Sequence, residues 1–211
     1  MSKIKFILCA VLFCFAMPAL ADTYDVTVNT SSIAGTTGSL DFDFSPGPNQ
    51  AQAASLQILG FSSDGSLAAS PELVGDVSGN LPFTITFDNG TGFNDYFDGF
   101  TYGSTLSFDV SLYGPALSSP DGTSNSNSIF SFSMFSDAAG TVPVLTSDTI
   151  DGFAFIVNIN PNGSTSLSNF SAETNAEPPT SATPEPGSLL FLTTGLVILA
   201  FTSLRRRQVG G

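Results

Sequence analysis

The side chains best suited to binding chemistry lie in one segment, residues 88–102. Asp88, Asn89, Asp95 and Asp98 supply carboxylate and amide oxygens, the hard ligands that Ca²⁺ takes in proteins. The spacing is not that of an EF-hand, because the twelfth position counted from Asp88 is Gly instead of Glu. We therefore regard these four residues as the candidate Ca²⁺ site, with a solvated surface loop as the alternative.

Two other patterns suit carbohydrate chemistry. The rings of Tyr96 and Tyr102 are able to stack on a sugar. Asp41 and Asp43 alternate with apolar residues, so both project from one strand face about 7 Å apart, which is loosely compatible with glycoside hydrolysis by paired carboxylates. A solvated sheet face explains the two aspartates more simply. A carbohydrate-binding module and, less favoured, a carboxylate-based glycoside hydrolase are the alternative functions.

The charge distribution excludes several other classes of function. Residues 22–183 contain no Lys, Arg, His or Cys, yet they hold all of the chain's 18 acidic residues except Glu185. A Ser-His-Asp or Cys-His nucleophile and a zinc site of the usual ligands are therefore excluded. Phosphates would find no cationic partner and would be repelled. We expect no nucleic-acid or nucleotide binding, and no cofactor other than the candidate Ca²⁺.

The N-terminus has the pattern of a secretory signal peptide over residues 1–21. Two lysines precede a twelve-residue apolar run at 6–17, and Ala19 and Ala21 are the small residues that signal peptidase reads. The alternative, a first membrane helix, is disfavoured because the run is shorter than the roughly 20 residues that a bilayer needs. The chain's two cysteines lie in this peptide, so the mature chain has no disulfide.

The C-terminus changes character after residue 170. A linker rich in Pro, Ser and Thr occupies 171–183, and a 17-residue uncharged apolar run at 188–204 has the length of a single, short transmembrane helix. Pro184, Glu185 and Pro186 precede that run. Arg205, Arg206 and Arg207 follow it, which would hold this end of the helix on the cytoplasmic side.

These three parts, in this order over residues 183–207, resemble the PEP-CTERM sorting signal of Gram-negative bacteria. The resemblance implies that exosortase, a membrane transpeptidase-like enzyme, recognises Pro184, Glu185 and Pro186. It implies that 188–204 is a temporary anchor in the inner membrane and that the arginines are its stop. It further implies processing near the motif and delivery to the cell surface or an exopolysaccharide matrix. Residues 75–110 also look like a body type that recurs among PEP-CTERM proteins of unassigned activity.

Residues 22–170 have the pattern of an all-β domain. Short alternating segments separated by Gly, Pro, Asn, Asp and Ser predict about nine strands, including one at 83–87 and one at 142–145. Phenylalanines on the apolar faces predict an antiparallel, jelly-roll-like β-sandwich. A curved single sheet or a β-solenoid is disfavoured because the sequence has no internal repeat of fixed period. The rings that we expect to be buried are Phe42, Phe44, Phe83, Phe87, Phe108, Phe132, Phe153 and Phe155.

The sequence as a whole therefore predicts an exported protein that is transiently anchored in the membrane and sorted by exosortase. We expect it to be a non-catalytic component of the cell surface or the extracellular matrix, associated with exopolysaccharide. No residue is predicted to be catalytic.

Overall fold

This computed structural model describes residues 21–68 and 70–178 of the chain. Alternating apolar and polar residues form strands in both ranges. The signal peptide up to Ala19 and the sorting signal, including Pro184 to Pro186 and the three arginines, lie outside these ranges. The strands are β1 (Asp22–Asn29), β2 (Thr37–Pro46), β3 (Ser55–Ser63), β4 (Ser66–Leu67), β5 (Glu72–Val74), β6 (Val77–Gly79), β7 (Ile85–Asp88), β8 (Asp95–Thr101), β9 (Thr105–Tyr113), β10 (Ser128–Phe135), β11 (Phe153–Ile159), β12 (Thr165–Asn169) and β13 (Thr174–Glu177).

The strands form two antiparallel sheets. Sheet A has the order β13-β1-β9-β3-β7-β6, and sheet B has the order β12-β11-β10-β2-β8-β4, with β5 also paired to β8. Helix is limited to a 3-10 turn at Ser31–Ile33 and a single α-helical turn, α1, at Pro115–Ser118. Within the described ranges we find no helix that combines the length and the apolar composition needed to cross a membrane. The predicted all-β, antiparallel architecture is confirmed.

Aromatic rings from both sheets fill the space between them. Phe42 of sheet B packs edge-on against Phe108 of sheet A, with ring centroids 5.2 Å apart, and Phe132 contacts both rings. Six of the eight phenylalanines predicted to be buried are at most 2% exposed. Burial of such rings is the main favourable term in the stability of a fold without disulfides.

The prediction was wrong for Phe83, which is 78% exposed. Strand β7 begins only at Ile85, so Phe83 lies in the turn after β6 and has no sheet face to cover. Phe153, the first residue of β11, is only partly buried, and the pairing of β10 with β11 is irregular beside it, between Phe132 and Ser133. The alternation of apolar residues does not reveal such irregular ends.

Two predicted boundaries also need correction. The linker was expected to begin at residue 171, yet β13 lies within it and pairs with β1 in the register Val26 to Ala176. The β domain therefore spans residues 22–177. At 142–145 the structure has one isolated bridge, between Phe135 and Pro143, in place of a strand, and the segment ends at Leu145, whose φ of 55° is not that of an extended strand.

Candidate functional site

The four residues of the candidate Ca²⁺ site do not come together. The side chain of Asn89, at the end of β7, is hydrogen-bonded to other parts of the fold. It accepts a hydrogen bond from the Ala54 N–H at 2.9 Å and donates to the Gln52 carbonyl and the Ser128 hydroxyl, each at 2.8 Å. This amide therefore joins the start of β3 in sheet A to β10 in sheet B. The Asp88 carboxylate accepts a hydrogen bond from the Ser55 hydroxyl, so it too is engaged within sheet A.

Asp95 and Asp98 lie on opposite faces of β8. Side chains three positions apart in a strand point in opposite directions. Asp98 faces the interior and is 1% exposed, with the Tyr96 hydroxyl 3.3 Å from its Oδ2, whereas Asp95 lies on the outer face of sheet B. No group of three acidic, His or Cys side chains among residues 21–68 and 70–178 is arranged to hold a metal ion. The predicted Ca²⁺ site is therefore not formed.

The tyrosines predicted to stack on sugar are also in the interior. Tyr96 and Tyr102 are at most 2% exposed. The Tyr102 hydroxyl lies 2.8 Å from the Ser39 carbonyl and 3.0 Å from the Phe135 carbonyl, and the Tyr96 hydroxyl lies 2.8 Å from Asn80 Oδ1. Burial raises the pKa of both phenols. Both rings are core residues with satisfied hydroxyls, so neither is a sugar platform.

The structure does bring together a different set of side chains, on the outer face of sheet B. Asp43 of β2 lies directly opposite Asp95 of β8, and Asp41 lies on the same face of β2, two residue pairs along the seam. On the other side of β2, the buried side chains Ser131 and Ser133 of β10 face Asp43 and Asp41. We call Asp41, Asp43 and Asp95 the carboxyl cluster.

Burial, and after it the nearness of other carboxyl groups, raises the pKa values of the three members of the carboxyl cluster. Burial, followed by Asp95, raises the pKa of Asp41 to about 9. Burial also raises the pKa of Asp43 to about 6, a rise that the Ser45 hydroxyl opposes and the Asp95 charge increases. The pKa of Asp95 is raised by burial, against the effect of its hydrogen bond with Asp41. Burial and the neighbouring carboxylates therefore favour retention of a proton by the Asp41–Asp95 pair.

Glycoside hydrolysis by paired carboxylates needs a cleft around the carboxyl groups, and two clefts among the described residues are lined by none of the three members of the carboxyl cluster. A cleft of about 310 Å³ does open between the two sheets, but its walls carry no carboxylate; they are formed by Phe61, Ser62, Ser63, Gly65, Leu67, Pro82 and Phe100. A second, shallower cleft of about 270 Å³ has one acidic residue, Glu173, in its wall. The sequence predicts that Asp41 and Asp43 share one strand face. It does not predict the third member of the carboxyl cluster, Asp95, which it assigns to the candidate Ca²⁺ site.

The larger cleft owes its shape to a bulge in β3. The pairing of β3 with β9 shifts between Leu59 and Ser62, and Gly60 adopts φ of +62°, which a side chain would disfavour. The bulge reverses the alternation of β3, so that Phe61 points inward and packs edge-on against Phe100. The cleft therefore lies where the chain leaves sheet A for β4 of sheet B.

Comparisons of this chain with protein-family models, with curated proteins and with solved structures find no match.

Proposed function

We propose that this chain is an exported, non-catalytic protein of the cell surface or the extracellular matrix, anchored transiently in the inner membrane and sorted by exosortase. The observation that carries the proposal is the order of parts in residues 183–207: Pro184-Glu185-Pro186, an apolar run, and three arginines. The signal-peptide pattern, with cleavage after Ala21, supports it. Signal peptidase, exosortase and the inner membrane are the partners of this route, and exopolysaccharide is the proposed surrounding at its end.

The character of the β domain supports a structural role. Its carboxyl cluster lies on a sheet face, and the walls of the larger cleft offer hydroxyl and apolar groups only. A jelly-roll-like topology belongs to the same proposal. It is supported by the repeated crossing of the chain between the sheets, since β1, β3 and β9 lie in sheet A while β2, β4, β8 and β10 lie in sheet B.

The sorting motif is tested by replacing Pro184, Glu185 and Pro186 with Ala. The apolar run alone suffices to hold the protein in lipid, so we expect normal insertion followed by accumulation of unprocessed protein in the inner membrane. The measurement is the size of the protein in separated membrane, surface and medium fractions.

A control with the same residue types lies just upstream. Changing Glu173, Pro178 and Pro179 to Ala alters one glutamate and two prolines outside the motif, and we expect normal processing. Normal surface delivery of the motif variant at mature size would refute the sorting proposal. Equal retention of both variants would show that the composition of the tail, not the motif, is recognised.

A further inference from the structure

The seam between β2 and β8 pairs acidic side chains on neighbouring strands of sheet B. Like charges directly opposite one another destabilise a sheet, yet the register runs unbroken from Thr37 opposite Thr101 to Asp43 opposite Asp95. Residues 22–183 contain no Lys, Arg or His, so no side chain of the domain can neutralise these carboxylates. A proton is the remaining neutralising group that the chain itself can hold.

Within residues 21–68 and 70–178, the groups around Asp41 are carboxyl and hydroxyl groups, and none of these residues carries a cationic side chain. Asp43 lies on its own strand, Asp95 on β8, and Glu72 of β5 faces Phe97, which lies opposite Asp41. The facing residues of β10, Ser131 and Ser133, do not titrate near neutral pH. In the loop after β10, Asp137 accepts hydrogen bonds from Thr141 and Val142 instead of reaching the seam.

Two oxygens in the seam, Oδ1 of Asp41 and Oδ1 of Asp95, are buried and find no hydrogen-bond partner in the part of the chain that the structure describes. A buried carboxylate oxygen without a donor is costly. Protonation of one carboxyl group lowers this cost, because it removes one charge and provides one donor for the other group. This is the arrangement of two carboxylates that cannot both ionise at close range.

We propose that the pairing of β2 with β8 is stabilised in a pH-dependent way. One proton shared by Asp41 and Asp95 keeps the edge of sheet B, which consists of β8, β4 and β5, paired with β2. Loss of the proton in alkaline solution adds one more negative charge to the carboxyl cluster, beside the ionised Asp43, and weakens that edge. This stabilisation is a property of the β domain and does not depend on the sorting route proposed above.

The sign of the pH dependence follows from where the proton is held. The raised pKa of Asp41 means that the folded chain binds a proton which the unfolded chain has already released. Stability from this proton is complete below the pKa of the unfolded carboxyl group and is lost as the pH rises through about 9. From about pH 6.5 to about 8.5, one such proton makes the unfolding equilibrium constant rise about tenfold per pH unit.

The test is urea unfolding of the full-length chain in a non-ionic detergent, followed by far-ultraviolet circular dichroism between about pH 6.5 and about 8.5. We expect the tenfold rise per pH unit in the wild type. Asp41→Asn retains a hydrogen-bond donor toward Asp95 without a titrating proton, so its unfolding constant should be nearly independent of pH. Asp109→Asn, in a pair of aspartates on sheet A, should keep the wild-type dependence.

Each result decides the proposal. A wild-type unfolding constant that does not change over this pH range overturns it, whether or not any variant folds. A full tenfold dependence in Asp41→Asn overturns it as well, because the proton would then reside elsewhere. If Asp41→Asn does not fold, Asp95→Asn replaces it: this variant removes the second member of the pair and should reduce the dependence on pH, whereas an unchanged dependence contradicts the shared proton.

Discussion

Each sheet carries, on its solvent side, a pair of aspartates that face one another across neighbouring strands. In sheet A, Asp25 of β1 faces Asp109 of β9, and Glu177 of β13 faces Asp25 from the other side. In sheet B, Asp43 faces Asp95, with Asp41 beside them. The two arrangements look alike in charge and in register, and they differ in what surrounds them.

Burial separates their behaviour. Asp25 and Glu177 are exposed, so water and salt screen the row in sheet A. Burial raises the pKa of the partly buried Asp109, and the Asp25 charge adds to the rise. In the carboxyl cluster of sheet B, two carboxyl oxygens are shut off from water. Like charges on neighbouring strands are therefore screened by water in sheet A, whereas in sheet B burial favours a proton on the carboxyl cluster.

The largest effect that we expect tests the side of the strands opposite these aspartates. Phe42 lies between Asp41 and Asp43 along β2, and Phe108 precedes Asp109 on β9; the two rings touch across the core. Replacing either with Ala should lower the free energy of unfolding by about 3 to 5 kcal/mol, measured by urea unfolding.

The control for this prediction is Phe83→Ala. Its ring is 78% exposed, and surface substitutions usually change stability by less than about 0.5 kcal/mol. A similar loss of unfolding free energy for Phe83→Ala and Phe42→Ala would show that the side chains on the inner faces of the sheets do not dominate stability.

The second prediction concerns Asp43, whose pKa is raised to about 6. The folded state holds this proton between the unfolded pKa, about 4, and about 6, so stability from it is present at acidic pH and is lost as the pH rises through about 6. Asp43→Asn removes this proton. Between about pH 4.5 and about 6, the unfolding constant of the variant should therefore rise less steeply with pH than that of the wild type, by a factor of up to about ten per pH unit.

Asp25→Asn is the matched change in sheet A, and we expect it to alter this dependence less than Asp43→Asn does. Denaturation of both variants over the same pH series provides the measurement. If the two substitutions flatten the profile equally, burial is not what distinguishes the carboxyl groups of the two sheets.

The outer-face contrast could not be derived from the sequence, although much of the fold could. Period-two alternation is local, so it correctly predicted antiparallel strands and buried rings such as Phe42 and Phe132. Strand register is set by pairing across long sequence separations. Nothing local places Asp95 opposite Asp43, 52 residues earlier in the chain, or pairs Ala176 with Val26.

Part of the error over Ca²⁺ was avoidable. The segment 95–101 alternates polar and large apolar residues, which is a strand signal, and Asp95 and Asp98 are separated by an odd number of positions. Such a spacing places two strand residues on opposite faces. The candidate Ca²⁺ site treats the segment as a loop, in which no such rule applies. The hydrogen bonds by which Asn89 joins the two sheets have no comparable signal in the sequence, because its three partners come from distant parts of the chain.

The smallest effect that we expect separates screening from specific binding. Salt weakens the repulsion between exposed carboxylates, so added NaCl should raise the melting temperature of the full-length chain, and Asp25→Asn, which removes the middle charge of the row in sheet A, should reduce that rise. Each exposed pair contributes at most about 1 kcal/mol.

Because Asp88, Asn89, Asp95 and Asp98 do not converge, Ca²⁺ and Mg²⁺ at equal concentration should give equal shifts in the melting temperature. A larger shift with Ca²⁺ that disappears in Asp98→Asn would restore the metal site, since a ligand that binds only the folded state adds stability in proportion to RT ln(1 + [L]/Kd), and screening alone does not distinguish two divalent ions.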